Sequence, residues 1–389
     1  MISVSEAWQR IATVMVPRPP VEVAVADANG RILAQSVRAE RDQPPFDRVM
    51  MDGIAITLDP ARDQYQLQAT QAAGAPRQTL ASASHCIEVM TGAVLPHGTD
   101  TVVPVEQLHH DGDCISVIGG SELQKGQFIH RQGSDYSAAT VLLESGQRIR
   151  APEMAILASS GLATTRVAAP PSIAVVAVGD ELVAPGEPIT TTQIRRSNDF
   201  AIASLLHSHC TPPTSRHCFP DDPRVLEPGI GQLIDEHDIV VLSGGVSMGK
   251  FDYIPTIMDT LGVEIVLHKV AQRPGKPMWI GRRADKVIFA LPGNPVSALV
   301  CARRYLVAAI DHAMGSRTVA SPVIVDVQQS APARLTWFCP VIDADGGGYR
   351  SRGTNTSGDF HALKNTVGFV ELPPGTVAGS SLLAPLWRW

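Results

Sequence analysis

The chain has 389 residues, of which 44% are hydrophobic and 18% charged, and its formal net charge is −6 at pH 7. This length predicts several domains rather than one core, and the composition is that of a soluble globular protein. The negative net charge disfavours a nucleic-acid ligand, because such binding relies on Lys and Arg to neutralise phosphates. An anionic ligand is therefore expected to meet a local cluster of positive charge.

The N-terminal segment, MISVSEAWQRIATVM, carries Glu6 and Arg10 before any apolar run long enough for a signal peptide. No apolar run of about 18 residues occurs in the sequence. We therefore expect a cytoplasmic location without membrane association. The six cysteines show no CxxC pair and are expected to be reduced thiols.

The first 170 residues predict two interleaved domains. Residues 1–45 give an amphipathic helix (VSEAWQRIATVM) followed by strands, and residues 46–134 give short strands with turn signals. Residues 135–170 contain the helix APEMAILASSG, with Pro152 in its first turn and Gly161 as its stop. We expect 46–134 to be an inserted small β domain, and 1–45 with 135–170 to form an elongated linker domain.

The remaining residues predict an α/β domain followed by a β domain. In residues 171–315, strands such as SIAVVAVG, DIVVLS and KVIFAL alternate with helices, a pattern typical of βαβ units on a parallel sheet. Residues 316–389 return to short strands and Gly-rich turns. The segment HSHCTPPTSRHC fits no common zinc module and is interpreted as a helix-end loop. The predicted fold class is α/β plus β: a central doubly wound α/β domain, an inserted small β domain, a linker domain and a C-terminal β domain.

Polar and glycine-rich segments follow several strands of the predicted sheet. In doubly wound sheets, ligands bind outside the carboxyl ends of the strands. Glycine amides and helix N-termini there would favour a phosphate or another oxyanion, and nearby carboxylates would require a divalent cation, typically Mg²⁺, between them and the anion. The residues in these segments are Glu181, Asp221, Asp222, Ser243, Gly244, Gly245, Ser247, Asp252, Lys269, Arg273, Lys276, Pro292 and Pro295.

Motifs along nearly the whole chain resemble those of the molybdopterin molybdenumtransferase family, which includes bacterial MoeA and the E domain of gephyrin. The motifs in the α/β segment are GDEL, SGGVSMGKFDY, PGKP and LPGNPVSAL. Outside it they are FDRVMMDGIA, VMTGAVLPHGTDTVVPVE and NTSGDFHALKNTVGFVELP. The single pieces also occur in related adenylyltransferases, but this combination and order are specific.

The resemblance implies an enzyme that takes adenylylated molybdopterin, cleaves the adenylate with a divalent cation and inserts molybdate at the dithiolene, giving molybdenum cofactor and AMP. It also implies an elongated homodimer, with other cofactor-synthesis proteins and recipient molybdoenzymes as further partners. Glu181 and Asp252, with Asp221 or Asp222, would hold the metal and the adenylate.

The resemblance assigns the remaining site residues as follows. Lys269 and Arg273 would bind molybdate or phosphate, and Pro292 and Pro295 would shape the molybdate pocket, which Ser357 would close. Four residues of the first 135 would complete the site, most of them from the other subunit: Asp52, Thr91, Arg131 and Asp135.

The chain departs from the family pattern at two places. FIHRQGSDY keeps only Arg131 where the family often has several arginines, with His130 and Gln132 beside it, and Arg273 stands where lysine is common. Two other functions stay open: a non-catalytic cofactor-binding or scaffold paralogue, and a molybdopterin adenylyltransferase acting one step earlier. The sequence leaves the choice between molybdate and tungstate open.

Overall fold

A computed structural model describes residues 1–118, 122–209, 212–245, 253–317, 320–345, 347–354 and 356–389. The chain folds into two compact units. The larger unit consists of Met1–Gln35, Ser145–Ala155 and Ala163–Trp389, and the smaller unit of Ser36–Glu144 and Ile156–Leu162. The finer division into four domains stays a prediction.

The larger unit begins with the predicted amphipathic helix α1 (Val4–Val14), whose first turn is capped by the Ser3 hydroxyl accepting from the Glu6 amide at 3.1 Å. The apolar face of α1 is buried in the main core of the unit. Strand β1 (Val21–Ala24) follows and pairs with a later strand near residue 165.

The smaller unit is built almost entirely of strands. Its main sheet has six strands in the order β7-β4-β6-β5-β9-β8, and two further pairs, β3 with β10 and β2 with β11, complete it. The bounds are β2 (Val37–Arg38), β3 (Arg48–Val49), β4 (Gly53–Ile56), β5 (Gln64–Gln71), β6 (His85–Val89), β7 (Thr101–Pro104), β8 (Leu108–Asp111), β9 (Cys114–Val117), β10 (Ile129–His130) and β11 (Val141–Leu143).

The α/β part of the larger unit follows helix α2 (Ala151–Ser159) and strand β12 (Thr164–Val167). Its elements are β13 (Ile173–Val178), β14 (Leu182–Val183), β15 (Ile194–Arg195), α3 (Asn198–His209), β16 (Thr214–Phe219), α4 (Pro223–Glu236), β17 (Ile239–Ser243), α5 (Ile254–Thr260), β18 (Glu264–His268), β19 (Gln272–Arg273), β20 (Trp279–Arg283), β21 (Lys286–Leu291), α6 (Pro295–Cys301) and α7 (Ala308–Ala313). A π-helical segment, Ala302–Val307, joins α6 to α7.

The central sheet has the order β16-β13-β17-β21-β20-β18, and helices cover both of its faces. Along β13 and β17, alternate residues enter two different cores: one core contains residues of α1, α3 and α6, and the other contains residues of α4 and α5. This alternation is what a doubly wound sheet requires, because its strands are buried on both sides.

The predicted parallel sheet is confirmed for β16, β13, β17 and β21 but not for β20, so the sheet is mixed. Strand β20 runs antiparallel to β21, because only Ala284 and Asp285 connect the two strands and so short a connection forms a hairpin. Strand β20 is also antiparallel to its other neighbour, β18. Ala284 has the positive φ of +55° found in such turns. Strand β16 was also missed, since its sequence was interpreted as a loop. The carboxyl end of β18 nevertheless lies at the same sheet edge as that of β21.

The C-terminal residues of the larger unit form a closed barrel. The strands are β22 (Ser321–Asp326), β23 (Thr336–Asp343), β24 (Tyr349–Ser351), β25 (Gly368–Leu372) and β26 (Ser381–Arg388). They follow the order β23-β24-β22-β26-β25, and β25 pairs back to β23, which closes the sheet. Strand β19 pairs with β23 and so connects the barrel to the α/β part.

Candidate functional site

The carboxyl ends of β13, β17 and β21 open into a cleft of about 680 Å³ in the larger unit. Its walls also include the segment from β14 to the start of α3, and Pro277. Seven residues that the sequence singled out line this strand-end cleft: Glu181, Asp221, Ser243, Gly244, Gly245, Pro292 and Pro295. The sequence therefore predicted both the edge of the sheet and most of the loops that form the cleft.

The glycines after β17 occupy positions that no other residue fits. Gly244 has φ +103°, and a Cβ atom there would lie 2.5 Å from the carbonyl oxygen of Val178. Gly293, on the loop after β21, lies close to Gly244: a Cβ atom added at Gly293 would lie 3.5 Å from the Gly244 Cα. The two loops therefore approach each other with backbone only, which brings main-chain groups to the wall of the cleft.

Asn198, the first residue of α3, connects these two loops. Its Nδ2 donates to Ser243 Oγ and to the Gly293 carbonyl oxygen, both at 2.8 Å. Its Oδ1 is buried without a hydrogen-bond partner among the described residues, although Asn198 lines the cleft. Asn198 was not among the site residues that the sequence predicted.

Carboxylates gather on one side of the cleft. The Asp221 amide donates to Asp180 Oδ1 at 3.1 Å. Burial raises the pKa of the Asp221 carboxyl above its usual range, and the charges of Asp180 and Glu181 raise it further. Asp222, the alternative metal ligand, instead caps α4 by accepting from the Arg224 amide at 3.0 Å and forms an ion pair with the Arg224 guanidinium at 2.8 Å. Asp221 rather than Asp222 lines the cleft.

Among the described residues, the cations that line the cleft are Arg195 and Arg196 rather than those the sequence singled out. Arg195 donates to the carbonyl oxygens of Ala184 and Glu187 at 2.8 and 2.6 Å, which holds the β14–β15 segment together. Two consecutive arginines directly before a helix N-terminus, in QIRRSNDF, are the signal that could have indicated this wall.

Lys269, Arg273 and Lys276 lie on the segment between β18 and β20 and are not among the cleft-lining residues. Lys269 has a positive φ of +66° and is half-buried, whereas Arg273 and Lys276 are exposed. Arg273 lies on β19 next to the barrel strand β23, where its charge opposes the rise that burial causes in the pKa of Cys339. Only Pro277 of this segment reaches the cleft.

Ser357 lies beside the loop that precedes α6. Its Oγ accepts from Asn294 Nδ2 at 2.8 Å, and its carbonyl oxygen accepts from the Val296 amide at 3.0 Å. The serine-glycine segment of the barrel part therefore contacts the Pro292–Pro295 loop. Two further predicted site residues, Ser247 and Asp252, lie outside the described residues.

In the smaller unit, Asp52 and Thr91 contact each other. Asp52 Oδ1 accepts from the Thr91 amide at 2.6 Å and from Thr91 Oγ1 at 2.7 Å. These hydrogen bonds, above all the one from the amide, lower the pKa of the exposed Asp52 carboxyl. Asp52 is therefore an ionised and oriented carboxylate near neutral pH.

Asp135 belongs to a chain of side chains in the same unit. Its Oδ1 lies 2.8 Å from His130 Nε2, and His130 Nδ1 lies 3.1 Å from Arg48 Nη2. Because the arginine can only donate, His130 Nδ1 accepts and its Nε2–H donates to Asp135. Arg131 forms a separate ion pair with Asp47 at 2.7 Å. His130, which departs from the family pattern, thus orients Asp135.

Among the described residues, no group of three or more His, Cys, Asp and Glu side chains gathers closely enough to hold a metal ion. Within the same part of the chain, none of the helices has the length and apolar character needed to span a membrane.

Two family models match the chain. Residues 2–161 match the MoeA N-terminal region (domain I and II), and residues 174–312 match a probable molybdopterin binding domain. The second match contains β13 to α6 and hence most of the strand-end cleft. The fold and the cleft thus define a protein of the molybdopterin-binding α/β class that carries a MoeA-type N-terminal region.

Curated relatives that match nearly the whole chain identify its family. The chain is 35% identical over 387 residues to the molybdopterin molybdenumtransferase of Synechocystis sp., and the match covers 96% of each chain. It is 31% identical over 373 residues to the molybdopterin molybdenumtransferase of Nostoc sp., covering 91% of this chain and 85% of that protein. The chain therefore belongs to the molybdopterin molybdenumtransferase family.

A solved structure has the same fold. The molybdopterin biosynthesis MoeA protein of Pyrococcus horikoshii matches with a TM-score of 0.83 and 23% identity, and the match covers all of both chains. The predicted fold class, α/β plus β in several domains, is confirmed.

Proposed function

We propose that this protein transfers molybdenum to molybdopterin, taking the adenylylated pterin and molybdate and releasing molybdenum cofactor and AMP. The observation that supports this function is the strand-end cleft, in which a backbone-only contact at Gly244, two arginines and a group of carboxylates surround one space. Such a space suits a ligand with a phosphoanhydride, because it offers both cations and sites for a bridging metal ion.

Each loop of the cleft has a role in this proposal. The Ser243–Gly245 and Pro292–Pro295 loops bind the phosphates and the pterin, and Asn198 holds the two loops at a fixed spacing. Lys269, Arg273 and Lys276 bind molybdate or phosphate next to the cleft, and Ser357 closes the molybdate pocket through its hydrogen bond from Asn294. Ser247 contributes to phosphate binding.

The carboxylates fit a magnesium ion in their chemistry. Glu181 and Asp221 offer the oxygen ligands that Mg²⁺ prefers. Burial, and then the charges of Asp180 and Glu181, raise the pKa of Asp221, and a divalent cation would offset both effects. We assign Glu181 and Asp221 as ligands, with Asp252 as a third, and leave Asp222 as a helix cap. Mg²⁺ held by these residues would supply positive charge that offsets the negative charge of the phosphoanhydride.

The smaller unit contributes further catalytic residues in this proposal. The protein acts as a homodimer in the cytoplasm, and Asp52, Thr91 and Asp135 of one subunit serve the cleft of the other, with Arg131 binding substrate. The ionised and oriented state of Asp52, whose exposed carboxylate accepts from the amide and hydroxyl of Thr91, supports this role. Other cofactor-synthesis proteins would supply the substrate, and recipient molybdoenzymes would take the product.

The first experiment measures AMP release when the protein is incubated with adenylylated molybdopterin, molybdate and Mg²⁺. We expect AMP, together with a product that reconstitutes an apo-molybdoenzyme. A Glu181→Gln variant should lose most of the activity, whereas Glu264→Gln, which changes an exposed ion pair far along the sheet, should retain it. Absence of AMP under conditions in which the Synechocystis relative is active would refute the proposal.

A second experiment tests the sharing of sites between subunits. Asp52→Ala and Glu181→Gln chains, each inactive alone, are mixed, unfolded and refolded together. In random dimers, half are mixed and each mixed dimer has one intact site, so about a quarter of the wild-type activity should return. A site built within one chain would give no recovery.

A further inference from the structure

A second cavity, of about 540 Å³, lies in the larger unit and shares no lining residue with the strand-end cleft. Its walls come from α1, from the helical run around Ala302–Val307 and α7, and from the barrel strands β22 and β26. Two tryptophans, Trp8 and Trp387, face it. Its charged lining residues are four arginines and one aspartate, together with His312: Arg150, Arg303, Arg304, Arg388 and Asp311.

This tryptophan-arginine cavity carries an excess of positive charge. The single aspartate, Asp311, is already paired with Arg148, which does not line the cavity, at 2.8 Å. Arg304 is paired with Glu371. The Arg150 guanidinium is exposed and forms no hydrogen bond or ion pair with any residue in the described ranges. Among the described lining residues, arginines therefore outnumber carboxylates, which favours an anion inside the cavity.

The aromatic side chains add a preference for a planar group. The Arg304 guanidinium carbon lies 4.5 Å from the ring centre of Trp387 and 5.9 Å from that of Trp8, so cations and indoles alternate along the wall. Trp387 lines the cavity, and its buried Nε1 has no hydrogen-bond partner among the described residues. A flat ring packs against such a surface, and an arginine fork binds a carboxylate or phosphate in a bidentate manner.

The helix that carries two of the arginines also reaches the strand-end cleft. Arg303 and Arg304 lie in the π-helical segment Ala302–Val307, and π-helical turns occur frequently at functional sites. The same helical run begins at Pro295, which lines the strand-end cleft. A ligand in the tryptophan-arginine cavity therefore contacts a helix whose N-terminus belongs to the other site.

We propose that the tryptophan-arginine cavity binds a small organic anion that combines a planar aromatic ring with a carboxylate or phosphate group. The arginines bind the anionic group and the indoles pack against the ring. A volume of about 540 Å³ is within the usual size of pockets for such molecules. This site is additional to the strand-end cleft and stands whether or not the protein transfers molybdenum.

The test uses the full-length protein labelled with 5-fluorotryptophan, so that each of its five tryptophans gives a ¹⁹F resonance. Single Trp→Phe variants assign the resonances, and 1-naphthyl phosphate is the probe. We expect saturable shifts of the Trp8 and Trp387 resonances, while Trp279 and Trp337, which are buried elsewhere, stay unchanged. The two component parts of the probe, 1-naphthol and inorganic phosphate, should each bind at least tenfold more weakly than 1-naphthyl phosphate.

A paired substitution tests the arginines. Arg150→Gln combined with Arg388→Gln should weaken the binding of 1-naphthyl phosphate at least tenfold, and Arg282→Gln, an exposed arginine paired with Glu264, should leave it unchanged. The far-ultraviolet circular dichroism and thermal midpoint of both variants check that they fold. Shifts confined to other tryptophans, equal binding of inorganic phosphate, or full affinity in the double variant would each overturn the proposal.

Discussion

Replacing Asn198 by alanine tests how the strand-end cleft is held together. The substitution removes two hydrogen bonds of 2.8 Å, one to Ser243 Oγ and one to the Gly293 carbonyl oxygen. Each such bond contributes about 1 kcal/mol, and Ser243, which is buried, loses a partner for its hydroxyl. Asn198 Oδ1 has no hydrogen-bond partner among the described residues, so removing it breaks no further hydrogen bond. We expect a loss of about 2–3 kcal/mol in the stability of the larger unit.

The assay combines scanning calorimetry with AMP release. A loss of this size should lower the midpoint of the transition of the larger unit by roughly 4 °C or more. The rate of AMP release should fall at least tenfold, because the Ser243–Gly245 and Pro292–Pro295 loops lose their common anchor. The matched control is Gln232→Ala, which removes a side-chain amide hydrogen-bonded to exposed Glu236 on α4.

The reasoning about Asn198 would be refuted by a variant that behaves like Gln232→Ala in both measurements. A lower midpoint with unchanged AMP release would keep the structural role of Asn198 but separate the spacing of the two loops from catalysis.

Three further changes probe other parts of the account. Asp221→Asn should raise the thermal midpoint at neutral pH and lower AMP release. The pKa of Asp221 is raised in the folded state, so its carboxylate destabilises the fold above that pKa, and the gain in thermal midpoint should vanish as the pH falls below the usual carboxyl range. Calorimetry across pH checks this, and a constant gain at every pH would contradict it. Gly244→Ala should lower the free energy of unfolding by about 2 kcal/mol or more, because the residue has φ +103° and its Cβ would lie 2.5 Å from the Val178 carbonyl oxygen. Equal thermal midpoints for Gly244→Ala and wild type would show that the loop adapts. His130→Ala should reduce AMP release severalfold through Asp135, with partial rescue in His130→Gln, whose amide can donate in place of Nε2; an unchanged pH profile and rate would exclude this positioning role.

The sequence predicted the sheet and its ligand edge well, because those features depend on local patterns. Runs such as SIAVVAVG and DIVVLS are long and apolar, and the Gly244–Gly245 pair follows one of them directly. Strand β20 was missed because its residues, WIGRR, combine a short length with charge and form a strand through pairing with β18 and β21.

The cations of the cleft were predicted less well. Lys269, Arg273 and Lys276 follow β18, whose carboxyl end lies at the cleft edge of the sheet, but they do not line the cleft. The described cations that line it, Arg195 and Arg196, lie at the end of the β14–β15 segment. The sequence also did not indicate that Asp222 caps α4 whereas Asp221 lines the cleft. Side-chain direction in a loop depends on contacts that are distant in sequence, and a single sequence does not contain them.

The most direct test of the account is a crystal structure of the protein with AMP, Mg²⁺ and molybdate. We predict that the AMP phosphate lies in the strand-end cleft, next to the Ser243–Gly245 and Pro292–Pro295 loops, with the metal ion bound by Glu181 and Asp221. Nucleotide and metal bound elsewhere, with the strand-end cleft filled only by water, would contradict the central claim.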